Sequence, residues 1–549
     1  METTALINIS ELPKTESGLT RLYQDYINDF DKLKSFYQFD FRNIKCDESF
    51  ATHLNQRCKH RQLLVDVLLE QNLSAGASQA TVDNIKLLGD ENTFAIVTGQ
   101  QVGLLTGPVY TIYKTITAIK LARELNSQNP QFKFVSVFWL EGEDHDFDEV
   151  NKIGIINHDQ ILQVVEYLSS IKGTGKNFGP VGEVAFDQNI DLFFEAIKNN
   201  IGNSEFKTPL LELLQRCYKP GSSFNQAFIA MMHYFFQDDG LIFISSHNKQ
   251  FKQLLSPIFQ KEIAEFPKVS QLIIQQSAEL EEKYHAQIKT KALNLFYFFK
   301  NGRYFIEPRE TDFSLKGTRH FISKDDMIKI ATDYPELLSP NVALRPICQD
   351  LLLPTFAYVA GPSEVAYFAQ LKKVYQYFGL TMPVIYPRAS VTIIEDKFER
   401  VMDKYQLDLI EFFGNPDKIN SKVIDIVSEV NIDEMFQEAS QKINDLTNEM
   451  KFGLNYIDPT LLGALQNTKD KIEQQLIVLK GKVSEAHSRK HDTALKQVSK
   501  ITNSIFPNRN FQERELNIIH FMNKHGLDFV KSLKSEVVID QFKHQIIKV

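Results

Sequence analysis

The chain has 549 residues, a formal net charge of -8, 43% hydrophobic residues and 24% charged residues. That length holds several domains and a large core, and the balance is that of an ordinary globular protein. The negative charge argues against a nucleic-acid partner, which usually needs a basic surface. The opening METTALINISELPKTESG lacks the basic start and apolar centre of a signal peptide, and no uninterrupted apolar run reaches the ~18 residues of a membrane span. Neither export nor a membrane partner is expected. Cys46, Cys58, Cys217 and Cys348 lie far apart with no Cys-x-x-Cys pair, which disfavours a disulfide framework or a zinc site and fits a reducing cytoplasm.

Residues 1–90 read as mostly helical, with Leu63, Leu64, Val67 and Leu68 forming an apolar stripe. From 91 to 390, short apolar runs alternate with helical patterns: Phe94–Val97, Phe134–Trp139, Leu241–Ser245, Leu295–Phe299, Tyr304–Glu307, Thr355–Ala360 and Pro383–Tyr386. Such alternation predicts an α/β core with a mainly parallel sheet, in which 156–230 and 260–340 read as insertions. Strand signals stop after Pro387. Over 391–506, Phe436, Ala439, Ile443, Leu446 and Met450, then Ile472, Leu476, Leu479, Val483 and Ala486, step alternately by three and four, as coiled-coil seams do. Gly453 and Asp458-Pro459 interrupt them, so the seams are expected to run antiparallel. Residues 459–505 as one helix would span about 70 Å. Residues 507–549 read as a helical return to the core.

The first segment that could carry chemistry is Val97 to Lys114. A strand meets Gly99, Gly103 and Gly107, Pro108 stands where a helix would open, and Val109, Ile112, Ile116 and Ile119 share one helical face. A strand, a glycine turn and a helix N-terminus together can cradle a phosphate. Neither G-x-G-x-x-G nor G-x-x-x-x-G-K-[ST] is present, so a plain structural turn stands equally well.

The second is Phe138 to Glu149, where a strand ends at the single tryptophan, Trp139, and runs into six carboxylates and His145. Carboxylates beyond a strand's carboxyl end can hold an ammonium, take a proton or meet magnesium, and a histidine there can shuttle a proton. A solvated acidic turn is the alternative.

The third, Arg345 to Gln370, repeats strand, Gly-Pro and helix. Val365, Phe368, Leu371, Tyr375 and Phe378 are its expected buried face, with Glu364, Tyr367 and Gln370 together on another side. Arg345 and Asp350 suit either a site or a structural ion pair, and Cys348 reads as a small buried hydrophobe. The two Gly-Pro turns are expected to face each other across an acidic hollow. His487 and His491 have metal-ligand spacing but fit a solvated helix face better. Ser323 with Asp326 fits a helix cap.

Together these strings resemble one family, the cysteine-adding enzymes of bacillithiol biosynthesis. They are Thr98-Gly99-Gln100-Gln101 through Thr106-Gly107-Pro108-Val109-Tyr110-Thr111, Glu141 to Asp146, Arg345-Pro346, Gln349-Asp350, Leu353 to Gln370, Pro387-Arg388 and Gln512-Glu513-Arg514. The resemblance spans nearly the whole chain. It implies a Rossmann-like core related to class I aminoacyl-tRNA synthetases, with helical insertions and a long antiparallel coiled-coil arm that mediates a homodimer. The synthetases' His-x-Gly-His and Lys-Met-Ser-Lys-Ser signatures are absent. The implied activity is that of a cytoplasmic ligase joining L-cysteine to the amine of glucosaminyl malate, with ATP and magnesium. The alternatives are another aminoacyl- or nucleotidyl-transferase on the same scaffold, or a non-enzymatic coiled-coil scaffold.

On that reading Asp144, His145, Asp146 and Lys114 are the catalytic candidates. Gln100, Gln101, Tyr110, Glu143, Arg345, Asp350, Glu364 and Tyr367 are candidates for binding substrate. Gly99, Gly103, Thr106, Gly107 and Gly361 are candidates for binding the nucleotide. A second nucleotide pocket at the root of the arm would use Arg388, Ser390, Asn508 and Arg514. No protein-held metal is expected.

Overall fold

The computed structural model describes residues 1–14, 19–170, 177, 179–310, 312–428 and 431–549. The chain divides into two compact units, Met1–Ile394 with Asn510–Val549, and Glu395–Arg509.

The first unit is built on a five-stranded, wholly parallel sheet of Thr93–Gln101, Lys133–Glu141, Ile242–Ser245, Thr355–Ala360 and Val384–Pro387. In chain order the strands lie third, second, first, fourth, fifth across the sheet. Phe94 to Val97 and Phe356 to Ala360 are all buried to within 1%, because a parallel sheet is covered on both faces. The direction of winding reverses between Thr93–Gln101 and Thr355–Ala360, which opens a crevice beyond their carboxyl ends. The helix Tyr110–Gln128 follows the first strand, beginning two residues after Pro108, and buries Ile112, Ile116 and Ile119.

Two of the expected strands belong elsewhere. Leu295–Phe299 and Gly302–Pro308 form a hairpin in a separate antiparallel sheet with Asp312–Leu315, Phe321–Ser323 and Leu338–Pro340. Its two-residue turn, Lys300 at φ 47° and Asn301 at φ 64°, has the left-handed pair that matches the twist of paired strands. The expectation that strands end at Pro387 also fails. Ser390–Ile394 pairs with His544–Lys548, which pairs in turn with Glu2–Ile7. Val391, Ile393, Ile546 and Ile547 are each buried to within 2%, so these short β-branched runs are core strands. Elsewhere in the first ninety residues the described elements are helical, with helices at Arg21–Asn28, Glu48–Arg57, Arg61–Ser74 and Gln79–Leu87.

The second unit is helical among its described residues. Ile432–Ile457 and Leu461–Lys490 hold the two seams, and Lys480 pairs with Asp433 across them, as antiparallel packing requires. The expected continuous helix over 459–505 is interrupted. Leu461–Lys490 ends and Asp492–Ile505 begins at His491, whose φ of -104° and ψ of 17° depart from helical values and mark a break.

Candidate active site

A cavity of 680 Å³ lies at the crevice, lined by Gly99, Gln100 and Gln101 after the first strand, Glu141, Glu143 and Asp144 after the second, and Gly361 to Glu364 after the fourth. This is the position and size at which an open α/β sheet takes a small-molecule ligand.

Its floor depends on a missing side chain. A Cβ on Gly99 would stand 2.9 Å from the Trp139 carbonyl oxygen. Glycine therefore lets the first strand close on the second while its own carbonyl accepts from Lys114 Nζ at 2.6 Å. The same ammonium pairs with Glu364 Oε2 at 2.6 Å. Lys114 is 1% exposed, and burial lowers its proton affinity despite Glu364. Burial alone would raise the Glu364 carboxyl, but the Lys114 charge and the hydrogen bonds from Lys114, the Gly361 amide and Tyr358 together outweigh it and hold the group ionised. Glu364 also accepts from the Gly361 amide at 2.7 Å and from Tyr358 Oη at 2.7 Å. Pro362 begins the helix Pro362–Phe368, so this Gly-Pro turn opens a helix on the cavity as expected.

Glu141 ends the second strand. Arg345 Nε lies 3.0 Å from its Oε1, and Arg345 donates in turn to Gln349 at 2.9 Å and to Tyr367 Oη at 3.0 Å. Burial pushes the Glu141 carboxyl up to about 7. Arg345 opposes that rise, and Glu143 and Asp144 add to it. Such a group can accept a proton near neutrality.

The neighbouring acids behave differently. Glu143 pairs with Lys252 Nζ at 2.6 Å and accepts from Ser339 Oγ at 2.8 Å. Burial would raise it, but Lys252 and then His247 hold it well below the usual carboxylate range. Asp144 meets Arg303 Nη1 at 3.1 Å, the His145 ring at 3.3 Å and the Gln101 amide at 2.9 Å. Against the effect of burial, His145 and Arg303 keep it ionised. Arg303 Cζ lies over Phe296, 3.8 Å from the ring centre, and the guanidinium is itself bonded to Ser339 and Pro340. The antiparallel sheet thus supplies one wall, with Phe296, Arg303, Phe305 and Pro340.

At the other side Tyr110 lies between two guanidinium groups, 5.4 Å from Arg388 and 5.6 Å from Arg514, and its hydroxyl accepts from Gln100 at 3.1 Å. Arg388 is anchored by buried Glu513 at 2.7 Å. The lining therefore carries Lys114, Lys289, Lys291, Arg303, Arg345, Arg388 and Arg514 against Glu141, Glu143, Asp144, Glu149 and Glu364. The hollow expected to be acidic has an excess of basic groups.

The crevice brings together Gly99, Gln100, Gln101, Tyr110, Lys114, Glu143, Asp144, Arg345, Gly361, Glu364, Tyr367, Arg388 and Arg514. It does not gather the rest. Gly103, Thr106 and Gly107 lie off the cavity lining. The Gly107 amide donates to Leu104 and the Val109 amide to Leu516, while the Gly107 carbonyl accepts from Asn517. The amides expected to receive a phosphate at this turn are thus engaged, and Gly107-Pro108 does not line the cavity onto which Gly361-Pro362 opens. Asp146 is exposed and also outside the lining, and His145 borders it through Asp144. Asp350 is buried against Tyr375 and Gln349, with no ion pair to Arg345. Gln370 turns away to the amides of Gln287 and Ile288. Ser390 is bonded to Glu513 and His544. Asn508 belongs to the second unit, in a left-handed turn at φ 52°. Cys348 is fully buried and Ser323 caps its helix, as expected. The side chain of His487 is outside the described residues, and among those no cluster of three metal-ligating side chains occurs.

The sequence reading passed over Glu141 as a distinct site residue, and over Arg303, Lys252, Lys289, Lys291 and Glu513. For Glu141 the signal was its place as the last residue of an apolar strand. Arg303, on the antiparallel hairpin, carried none.

The sequence pattern described as "Bacillithiol biosynthesis BshC, N-terminal Rossmann-like domain" matches residues 7–389, and the corresponding C-terminal coiled-coil domain matches 391–549. A Salinibacter ruber protein named "Putative cysteine ligase BshC" is 36% identical, with 98% of each chain covered. A Chloroherpeton thalassium protein of the same name is 37% identical over 94% of this chain and 93% of its own. A solved Campylobacter jejuni chain described as "putative arginyl t-RNA synthetase" is 12% identical, with 83% of this chain and 99% of that one covered. Its TM-score of 0.19 means that the likeness carries no argument. The two domain patterns in their order, and full-length identity above a third, make this chain a member of the BshC family of bacillithiol biosynthesis, a family of ligases.

Proposed function

We propose that this ligase forms the amide between the carboxyl group of L-cysteine and the amino group of glucosaminyl malate, at the expense of ATP. The observation that carries the reading is Glu141, a strand-end carboxyl with proton affinity near neutrality beside fixed cations in the crevice. A carboxylate oxygen is a poor leaving group and must depart on a phosphoryl or adenylyl group, which is the part assigned to ATP. The attacking amine must then lose a proton, and Glu141 is the group matched to take it. Asp144, held ionised, suits the binding of a substrate ammonium instead.

The anionic parts of the substrates, phosphates and the malate carboxylates, are matched by Arg388 and Arg514 around Tyr110 and by Lys289 and Lys291 at the rim. Glu141, Glu143, Asp144 and Glu364 are paired with Arg345, Lys252, Arg303 and Lys114 respectively. The cavity carboxylate suited to meeting the nucleotide's magnesium is therefore exposed Glu149, which accepts from Gln101. On this reading the chain works in the cytoplasm as a homodimer joined through its coiled coil. Phe452 and Tyr456, 84% and 95% exposed on the long helix, support self-association.

The test is incubation of the full chain with ATP, cysteine and glucosaminyl malate, followed by mass spectrometry. The amide is expected only when all three are present. Its absence, or faster reaction with an unrelated amine, would overturn the assignment.

A further inference from the structure

Gln370 is fully buried yet lies off the crevice lining. Its side-chain carbonyl accepts from the backbone amides of Gln287 at 2.8 Å and Ile288 at 2.7 Å. Its side-chain amino group donates to Ser277 Oγ at 2.7 Å and to the Ile288 carbonyl at 3.3 Å. A glutamine amide offers two acceptor and two donor positions. All four are used here, three of them on the backbone of residues 287–288.

Those two residues open the stretch 287–292, which has neither helix nor strand and joins the helix Lys268–Glu281 to the strand Leu295–Phe299. Its far end is anchored as well. Ser270 Oγ meets the carbonyls of Lys291 and Ala292, and the Asn294 amide donates to Glu262 at 2.8 Å. Between the two anchors stand Lys289 and Lys291, exposed and on the crevice lining. An irregular surface segment is ordinarily the loosest part of a fold, so a buried glutamine committed to this one needs a reason. The charges supply it. Lys114, Arg303, Arg345 and Arg388 are each paired with a carboxylate. Lys289 and Lys291 form no ion pair among the described residues, and the Lys291 ammonium stands 5.8 Å from the Phe305 ring centre. Gln370 follows the helix Pro362–Phe368, so it registers these two free cations against the element that supplies Glu364 and Tyr367.

We propose that residues 287–292 are a fixed strap on which Lys289 and Lys291 hold a substrate group with two or more anionic oxygens, and that Gln370 is its positioning residue. On the ligase reading, on which this inference rests, two substrate groups have that chemistry, the triphosphate of the nucleotide and the paired carboxylates of malate. An ammonium binds either as a point charge. Anchoring the backbone on both sides of the lysines lessens the freedom lost when the anion is held.

The test titrates magnesium-ATP and glucosaminyl malate separately into the full chain and follows binding by calorimetry, without turnover. Lys289→Ala with Lys291→Ala is expected to weaken one of the two ligands at least about tenfold and to leave the other within about twofold. The ligand that weakens identifies the group held. Gln370→Met keeps the length without the hydrogen bonds and is expected to weaken the same ligand about fivefold or more. Added to the lysine pair, Gln370→Met is expected to change that affinity by less than about twofold, because it acts through those lysines. A merely structural role predicts the same loss in both backgrounds. Circular dichroism checks folding, and Ser270→Ala, which loosens the other anchor, takes the place of Gln370→Met if that variant does not fold. Both ligands unchanged in the lysine variant, both weakened equally, or an anchor variant equally harmful without the lysines would each overturn the proposal. A parent that binds both ligands and loses one in the lysine variant, yet makes no amide, would fault the ligase reading alone. A parent that binds neither would overturn both.

Discussion

Replacing Glu141 with glutamine separates the chemistry of the site from its cost. A carboxyl that ordinarily titrates near 4.5 and is pushed up by burial to about 7 holds its proton more tightly folded than unfolded. Folding is then progressively destabilised as pH rises from about 4.5 to about 7, and the full penalty is present above that window. For a change of this size the linkage amounts to about 3 kcal/mol at pH 8 and under about 1 kcal/mol at pH 5. Glutamine resembles the protonated form and escapes the penalty. Glu141→Gln is therefore expected to be more stable than the parent at pH 8, by up to about 3 kcal/mol, with most of that gain gone at pH 5. Denaturant unfolding of the ligand-free protein at the two pH values measures this. Amide formation followed by mass spectrometry is expected to fall by about 10²–10⁴-fold in the same variant. In the parent, the rate should rise with pH through a midpoint near 7, as Glu141 loses its proton. A stability gain independent of pH would show that Glu141 is not the strained carboxyl described here. Full activity in Glu141→Gln would remove it as the base.

Lys114→Met leaves Glu364 buried without its ammonium and is expected to cost about 3–5 kcal/mol in urea unfolding. The double variant Lys114→Met with Glu364→Gln should recover most of that loss; failure to recover would mean that the pair is not the source of the cost. Asp144→Asn should lower turnover by at least about 10²-fold, because it removes the ionised partner of Arg303 inside the cavity. Exposed Asp146→Asn should stay within about twofold of the parent, and equal losses in the two would refute the placement of these acids. Phe452→Ser with Tyr456→Ser should convert a dimer into a monomer in light scattering, and a dimer that persists would move self-association away from these side chains.

Strands buried on both faces were legible because their apolar runs are continuous: Phe94 to Val97, Phe134 to Trp139 and Thr355 to Ala360 each lie within a strand of the parallel sheet. Gly361-Pro362 was legible for a local reason, since the proline at the first helical position and Glu364 returning to the Gly361 amide are neighbours in sequence. What was not legible depends on partners brought from far along the chain. Gly107-Pro108 has the same local form as Gly361-Pro362, yet its turn is closed by Leu516 and Asn517 from the C-terminal segment. Arg345 and Asp350 stand five positions apart on a helix, about 140° around its axis, so they face opposite sides and choose different partners, Glu141 and Tyr375. Glu141 differs from Glu143 and Asp144 by its surroundings alone. Lys252 and Arg303 arrive beside the latter two from the helix Lys249–Ala264 and an antiparallel hairpin. A run of carboxylates in the sequence thus marks where acid chemistry can sit, and the cations delivered by distant elements decide which member of the run keeps a usable proton. In this chain the member is the one whose arginine is shared with Gln349 and Tyr367.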